Sequence, residues 1–260
     1  MKTLALALAA MLAVPLVTGC DEKPAPAVAD TAPPPPPVAS ATDPAPAASA
    51  TATRPPKPKG PCPKDDVITF TAPTTEAVVR RQLGKPQGPI HRSDLPRIKT
   101  MDLAQVRSDD VDMCLVSACT GVKGLYLGQG GLDDLTPLRG LVLLESLRLA
   151  STAVKDLSPL VGLGNMDRLD LSHTPVENIN AIGSMVKLTE LQLDDTLVSD
   201  LGPLSKTTQL EMLSIKNTRV SDLGPLRNLK KLKKLYIGGS LVHDISPAQG
   251  IPGLKIFQES

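Results

Sequence analysis

The side chains that could perform catalysis are few in this sequence and lie far apart. Its three histidines are His91, His173 and His243, and none of them suggests a partner for a catalytic cysteine. The nucleophile motif G-x-S-x-G, the zinc motif H-E-x-x-H and a phosphate-binding loop leading into a helix are absent from the sequence. Residues 128–132, GQGGL, are glycine-rich but follow a strand at a turn. We therefore expect a protein that is not an enzyme and holds no cofactor.

The first 20 residues, MKTLALALAAMLAVPLVTGC, are arranged as an export signal rather than as part of a fold. A lysine precedes an apolar run that is too short to span a membrane, and small residues follow that run. The last four residues, VTGC, resemble the lipobox of bacterial lipoproteins. This resemblance implies that residues 1–19 are removed and that Cys20 carries a lipid anchor. An ordinary secretory signal with an incidental cysteine is the alternative.

A lipid anchor at Cys20 would hold the protein in the bacterial cell envelope. Asp21 resembles the signal that keeps enteric lipoproteins in the inner membrane, but other bacterial groups read this position differently. The sequence therefore does not decide whether the protein is anchored in the inner membrane, in the outer membrane or at the cell surface. Residues 21–60 are more than half proline and alanine, which cannot form a core. We expect a disordered tether that reaches about 120 Å when fully extended.

Three cysteines remain once Cys20 is assigned to the lipid, namely Cys62, Cys114 and Cys119. In an oxidising compartment, one disulfide and one free thiol is the simplest arrangement for an odd number. Two arrangements compete, Cys114 with Cys119, or Cys62 with either of them. The three cysteines lack the close pair that is typical of a zinc site, so we expect no metal there.

A repeat of 22 residues decides the fold. Each full unit has an apolar residue that is followed two positions later by another, and the first members of these pairs are Leu125, Leu147, Leu169, Leu191, Leu213 and Leu235. Phe257 follows at the same interval of 22 residues. This alternation is typical of a strand with one buried face. Stacked units would then form a parallel sheet. Only a few residues separate each outer turn from the next strand, which favours 3₁₀ geometry on the outer side.

The repeated pattern L-x-x-L-x-L-x-x-T-x-V-x-D-L-x-P-L-x-x-L closely resembles the 22-residue leucine-rich repeats of internalins. Six units and a truncated seventh cover residues 122–260. The resemblance implies an α/β leucine-rich repeat solenoid, a horseshoe whose parallel β-sheet lies on the concave face and whose short 3₁₀ turns lie on the convex face. It also implies that a helical N-terminal cap, here residues 61–121 with an irregular first repeat, precedes the regular units.

Two polar columns recur with the same period. After each strand, hydroxyl groups are expected to bond to the turning backbone and to the adjacent coil; they belong to Thr152, Thr174, Thr196, Thr218 and Ser240. Before each outer turn, a carboxylate or amide is expected to accept backbone N–H groups, at Asp134, Asp156, Asn178, Asp200, Asp222 and Asp244. A column of carboxylates suggests calcium, but capping accounts for every member, so we expect no metal.

The two ends of the domain depart from the repeat. In this N-terminal region, Thr75 or Thr74 is predicted to be the N-cap residue of a helix that Gly84 and Pro86 end. A divergent strand at Met101 follows, irregularly spaced from the first regular unit. The cap is needed because the first coil would otherwise expose the core of the stack. No separate cap is visible after the last strand, so its edge is either exposed or covered by something outside this pattern.

Side chains that alternate with the core leucines would face a partner on the concave sheet. The candidate binding residues are Tyr126, Arg148, Arg168, Asp170, Glu190 and Tyr236. The period places Arg148 beside Asp170, and Arg168 beside Glu190, about 4.8 Å apart on adjacent strands. Such cross-strand pairs contribute roughly 0.2–1 kcal/mol each and give these charges a structural explanation as well.

The overall charge narrows the class of partner. The formal net charge is +1, which speaks against a nucleic acid, since phosphate binding needs a concentrated excess of lysine and arginine. The dense basic run at residues 230–234 is expected to be a solvated face, with an anionic lipid or an acidic partner as the alternative. We expect a lipid-anchored domain that binds another protein through its concave sheet. A structural spacer or envelope scaffold and a surface adhesin are the alternatives.

Overall fold

The alternating leucines of the repeat form the strands of a parallel sheet. The structure is a computed structural model, and it describes residue 62, residues 65–70 and residues 72–259. The export signal, Cys20 and the tether lie outside the described residues. Within the described part, eight strands follow one another in chain order across one sheet. They are β1 (Thr100–Leu103), β2 (Gly124–Leu127), β3 (Ser146–Arg148), β4 (Arg168–Asp170), β5 (Glu190–Gln192), β6 (Met212–Ser214), β7 (Lys234–Tyr236) and β8 (Lys255–Phe257).

The core of the solenoid lies directly behind this sheet. Leu169 pairs in register with Leu147 on one side and with Leu191 on the other, and all three are at most 1% exposed. A single 22-residue coil has no second layer of its own, so its leucines are buried only by the coils above and below. The predicted solenoid, with a parallel sheet on the concave face and short turns on the convex face, is confirmed.

Short 3₁₀ turns form the convex side of the repeats. They span Thr136–Leu138, Ser158–Leu160, Asn180–Ser184, Gly202–Lys206 and Gly224–Asn228. A side-chain oxygen accepts the backbone N–H two residues later, at 2.7–2.8 Å, at Asp134, Asp156, Asn178, Asp200, Asp222 and Asp244. The predicted acceptor role of this column is confirmed, with one backbone N–H for each side chain.

The hydroxyl column bonds within its own coil. Each hydroxyl donates to the carbonyl oxygen three residues earlier at 2.6–2.7 Å; the donors are Thr152, Thr174, Thr196, Thr218 and Ser240. These carbonyls belong to the last apolar residue of each strand segment, where the chain leaves the sheet. The expected bond to the adjacent coil is therefore wrong. The hydroxyls hold the turn of each coil, and backbone hydrogen bonds join neighbouring coils.

A left-handed residue makes the same turn in five successive coils. Ser151, His173, Asp195, Asn217 and Gly239 have φ values of 59°, 57°, 55°, 53° and 71°. Only the last is glycine, and there a Cβ would approach the Asn217 side-chain oxygen. The backbone N–H groups of the first four donate to the next coil, as from His173 to the Asp194 carbonyl at 2.7 Å. This chain of bonds offsets the strain of the left-handed conformation.

The N-terminal cap contains the longest helix of the described residues, α1 (Pro73–Leu83). The helix begins one residue before Thr74, because Pro73 has a preset φ and no N–H to satisfy. The N-cap residue is Ala72, so the predicted cap at Thr74 or Thr75 is wrong, and Thr75 is buried inside the first turn. Gly84 ends the helix with φ 64°, as predicted. In the described part of the chain, no helix combines the length and apolar character needed to cross a membrane.

A disulfide joins the start of the described chain to a second helix of the cap, α2 (Met113–Ala118). It links Cys62 to Cys114 across a sequence separation of 52 residues, while Cys119 is a buried free thiol. Asp112 caps α2 by accepting the Cys114 N–H at 2.9 Å. Of the pairings left open by the sequence, the structure contains this one and not the bond between Cys114 and Cys119.

The last coil is one residue shorter than the repeat period. β8 pairs Ile256 with Leu235 and Phe257 with Tyr236. The expectation that Phe257 continues the column of core leucines is therefore wrong. A short helix, α3 (Ser246–Gln249), takes the place of the 3₁₀ turn in this coil. The missing residue lies between Leu254 and Ile256, which turns Phe257 out of the core and onto the sheet face.

Candidate functional site

The concave face of the sheet presents two columns of side chains that alternate with the core. The first column consists of Asp102, Tyr126, Arg148, Asp170, Gln192, Ser214, Tyr236 and Phe257. The second consists of Thr100, Gly124, Ser146, Arg168, Glu190, Met212, Lys234 and Lys255. The six residues proposed from the sequence as binding residues all belong to these columns.

Tyr126 lies near the N-terminal end of the face. A methyl group at Gly124 would come within 3.2–3.3 Å of the Tyr126 ring and hydroxyl, so the missing side chain at Gly124 makes room for the ring. Tyr126 is half-buried as a result. It borders a shallow depression of about 230 Å³ whose floor includes Arg148 and Asp170.

Arg148 and Asp170 form the charge pair that their spacing predicts. The Arg148 Nε lies 3.2 Å from Asp170 Oδ2, and Asp170 also accepts the Ser172 N–H at 3.0 Å. The Arg148 side chain is 54% exposed, so water screens the pair and its contribution to stability is small. The main effect of the pair is that the positive charge of Arg148 and the negative charge of Asp170 cancel on this part of the concave face.

The second predicted pair is not formed. Arg168 and Glu190 are register neighbours, but the Arg168 Nε lies 3.4 Å from Asp167 Oδ2 instead. Asp167 precedes Arg168 in the chain, and the Arg168 side chain is 60% exposed, so it is free to turn towards this nearer carboxylate. The expected pairing of Arg168 with Glu190 is therefore wrong, and Glu190 has no ion pair among the described residues.

An aromatic stack closes the C-terminal end of the face. The rings of Tyr236 and Phe257 have centroids 4.6 Å apart and planes inclined by 14°. The Lys216 ammonium lies 5.6 Å from the centroid of the Tyr236 ring, within range of a cation–π contact. Phe257 is 38% exposed. Sequence reasoning missed Phe257 because it counted this residue as part of the core. It missed Lys216 because this residue lies two positions beyond the end of β6 and so belongs to neither predicted column.

A half-buried carboxylate supports the strand beside this stack. Asp194 accepts the Ser214 hydroxyl at 2.5 Å and the Lys216 N–H at 2.9 Å. Ser214 is only 5% exposed and follows Gln192 in the first column. These hydrogen bonds fix the backbone that carries Lys216. The position of the lysine over the Tyr236 ring is thus supported by the fold.

The basic run at residues 230–234 is divided between two surfaces. On the flank, Lys233 pairs with Glu211 at 2.7 Å, and Lys231 donates to Gln209. Lys230 donates to the Arg227 carbonyl. Lys234 instead lies on β7, in the second concave column. The expected solvated face describes the flank members of the run, and Lys234 belongs with the sheet.

The histidines and the free cysteine of the described residues lie apart from one another. His91 and His173 each lie beside one aspartate, at 2.8 Å from Asp66 and 3.4 Å from Asp195. Among the described residues, no three His, Cys, Asp or Glu side chains are placed to hold a metal ion. Burial raises the pKa of the Cys119 thiol to about 12, which keeps it protonated at neutral pH.

Comparison with known proteins agrees with this geometry. Residues 208–252 match the family model for leucine-rich repeats in two copies. The fold is a leucine-rich repeat solenoid. No curated protein sequence matches the chain significantly.

Solved structures with the same fold cover a larger share of the chain than these two repeats. Internalin C2 of Listeria monocytogenes superposes with a TM-score of 0.66 and 29% identity, covering 72% of this chain and 83% of the internalin. Internalin InlF of the same organism gives a TM-score of 0.66 and 26% identity, over 72% of this chain and 56% of that one. A leucine-rich repeat protein of Leptospira interrogans, at 18% identity and a TM-score of 0.57, covers 63% of this chain and 43% of its own and shows the fold alone. The protein is internalin-like in fold, and such folds generally mediate protein–protein interaction.

Proposed function

We propose that this protein binds another protein through the concave face of its sheet. The observation that carries the proposal is the pair of aligned columns on β1 to β8, which present side chains from eight successive strands on one preformed surface. A partner can contact several strands without ordering a loop, which lowers the entropic cost of binding. Tyr126 and Tyr236 lie towards the two ends of this surface and supply aromatic contact area.

The proposed role is binding without chemistry. Among the described residues, His91 and His173 each have one carboxylate neighbour, and the free thiol of Cys119 is protonated and buried. A non-binding spacer is the second candidate, and the Arg148–Asp170 pair favours it, because that pair gives two concave charges a use within the fold.

We also propose that the domain works outside the cytoplasm on a lipid anchor at Cys20. The disulfide between Cys62 and Cys114 supports export, since such bonds persist in oxidising compartments. The test is to replace Cys20 with alanine and fractionate the cells. We expect the variant to leave the membrane fraction, with a variant of the adjacent Asp21 as the control that keeps the cysteine. Unchanged membrane association of Cys20→Ala would refute the anchor.

Site-specific photo-crosslinking tests the binding surface. A benzophenone amino acid replaces Gln192 at the centre of the concave face or, as the matched control, the exposed Lys206 on a convex turn. We expect the probe at position 192 to capture one protein repeatedly from the native envelope, and the probe at position 206 to capture none. Capture of the same protein only from position 206 would move the site to the convex face. Capture from neither position would favour the spacer.

A further inference from the structure

Charge is distributed unevenly along the repeats. Residues 122–210 contain seven lysines and arginines but eleven aspartates and glutamates. Residues 211–259 contain eight basic and four acidic residues. The near-zero net charge of the whole chain therefore conceals an acidic first part and a basic end. The electrostatic field of the domain would direct an acidic partner to the last coils.

Part of the basic excess lies on the concave face. Lys216, Lys234 and Lys255 lie on or beside the last three strands, and none of them has an acidic partner within ion-pair distance among the described residues. Lys234 and Lys255 are exposed, and Lys216 is half-buried. At the other end of the face, by contrast, Arg148 is paired with Asp170. Among the described residues, the uncompensated positive charge of the face is thus concentrated at its C-terminal end, whereas Glu190 nearer the centre is an unpaired negative charge.

The same end carries an apolar platform. Tyr236 and Phe257 are stacked, and they are two of only four aromatic residues in the chain. On β6, Met212 lies beside Lys234 in the second column of the same face. Phe257 leaves 38% of its surface exposed, while Ile256 takes the register position beside the core residue Leu235. An aromatic surface bordered by lysines has both components of a binding site, contact area and charge.

We infer that the surface formed by Met212, Lys216, Lys234, Tyr236, Lys255 and Phe257, here called the basic aromatic platform, docks an acidic segment of a partner protein that carries an aromatic side chain. The inference rests on the proposed function and narrows its partner. The partner ring would pack on the exposed edge and face of Phe257, while flanking carboxylates would approach the three unpaired ammonium groups. Charge complementarity selects the acidic segment over neutral or basic ones.

Other anionic partners fit the platform less well. A single-stranded nucleic acid would also stack on aromatic rings, but its continuous phosphate backbone needs a basic groove along its path. The neighbouring coils carry Glu190, Asp194 and Asp195, which would repel that backbone. An anionic membrane presents a broad surface, whereas the three lysines border one narrow stack on a concave sheet. A short acidic peptide is small enough to contact the three lysines of the platform without extending over the acidic residues of the neighbouring coils.

The test uses the exported chain with a fluorescein-labelled peptide in which one tyrosine lies between two runs of aspartate and glutamate. Binding is measured by fluorescence anisotropy at low salt. We expect Phe257→Ala to weaken binding by at least about fivefold. Lys234→Gln and Lys255→Gln should each weaken it by roughly two- to fivefold. Lys206→Gln on the convex side is the matched control and should leave binding unchanged. Raising the salt concentration should reduce the affinity for the wild type more than for the lysine variants.

Two peptide controls and three further probes decide the outcome. A peptide with alanine for tyrosine, and one with lysines for the acidic residues, should each bind more weakly than the original. The inference is overturned if the acidic aromatic peptide binds no better than these controls, or if Phe257→Ala binds it normally while its melting temperature is unchanged. It is also overturned if anionic vesicles, a thymidine oligonucleotide or a second copy of the chain binds more tightly than the peptide. Continued crosslinking from position 192 in the Phe257→Ala variant would then show that the concave function stands without this platform.

Discussion

Phe257 lies against Tyr236 with ring centroids 4.6 Å apart, in the last strand pair of the sheet. The stack holds Tyr236 between its neighbour's ring and the Lys216 ammonium on the preceding coil. Both aromatic side chains are therefore ordered before any partner arrives. Binding to this end of the face would cost little side-chain entropy, which favours affinity.

Substitution of a central leucine tests whether the coils unfold together. Leu191 is fully buried, so Leu191→Ala should lower the free energy of unfolding by about 2–5 kcal/mol through lost transfer energy and a cavity. Hydrogen exchange in rising urea, followed by mass spectrometry, should show peptides from β2 and β7 losing protection together. Leu143, which is 43% exposed, provides the control, and Leu143→Ala should change stability little. Loss of protection near β5 alone would contradict cooperative folding.

The hydroxyl column makes a separate contribution to each coil. The Thr196 hydroxyl donates to the Leu193 carbonyl at 2.7 Å and is 3% exposed as a residue. Thr196→Val keeps the shape and removes the bond, so the free energy of unfolding should fall by about 1 kcal/mol. The exposed Thr208 is the control, and Thr208→Val should be near neutral. Equal effects of the two substitutions in urea titrations would show that the column is not stabilising.

The repeat alone predicts most of the solenoid, because buried leucines at a fixed period leave one way to stack. Leu147, Leu169 and Leu191 occupy the positions that their spacing assigns. The last coil was not predictable from the leading leucines, since Phe257 falls at the expected interval even though a residue is missing before it. The shortening is visible in the sequence only in the interval from Leu254 to Ile256, which is two positions where the preceding coil has three, from Leu232 to Leu235.

The candidate face was predicted less completely than the core. The period identifies which side chains share a column, but not which rotamer an exposed arginine adopts. Arg148 meets Asp170 as expected, whereas Arg168 turns to Asp167, which is nearer in the chain. Exposed pairs differ in free energy by less than about 1 kcal/mol, so spacing cannot choose between two available carboxylates. Lys255 and Phe257 were missed because their coil is shortened.

Asp156, in the acceptor column before the outer turns, makes stability depend on acid pH. Hydrogen bonds from the Ser158 N–H and then from its hydroxyl lower the pKa of the Asp156 carboxyl below its ordinary value. A lowered pKa means that the folded state favours the ionised carboxylate. The stabilising contribution of Asp156 to the free energy of unfolding is therefore full above the unfolded pKa, which is near 4, and is lost as pH falls through the folded pKa. Asn178 shows that an amide oxygen also accepts at this position, from Asn180 at 2.8 Å.

Asp156→Asn should therefore keep the turn but remove its pH dependence. We expect melting temperatures near the wild-type value at pH 7, where the amide still accepts the Ser158 N–H, and a shallower decline between pH 5 and pH 2. The reverse substitution Asn178→Asp should steepen that decline. The measurement is a series of thermal melts across this pH range. Parallel pH profiles for the wild type and both variants would exclude the proposed role of the Asp156 charge.

The three cysteines of the cap should differ sharply in reactivity. Cys119 is fully buried, its thiol donates to the Leu115 carbonyl at 3.3 Å, and burial raises its pKa to about 12. Alkylation by iodoacetamide requires the thiolate, so native protein at pH 8 should resist modification until it unfolds. Cys62 and Cys114 should be absent from the alkylated products unless a reductant is added, because they are bonded to each other.

Mass spectrometry of protein produced in a bacterial periplasm checks both parts of this prediction. A peptide pair containing Cys62 and Cys114 should be found without reduction, and Cys119 should be labelled only in denaturant. Cys62→Ser is the informative variant, because it should free Cys114, which is half-buried, for labelling in the native state while Cys119 stays protected. A crosslinked peptide containing Cys119 in the wild type would contradict the pairing. Rapid labelling of native Cys119 would instead show that the cap opens around α2, and the loss of the disulfide in Cys62→Ser should then accelerate it further.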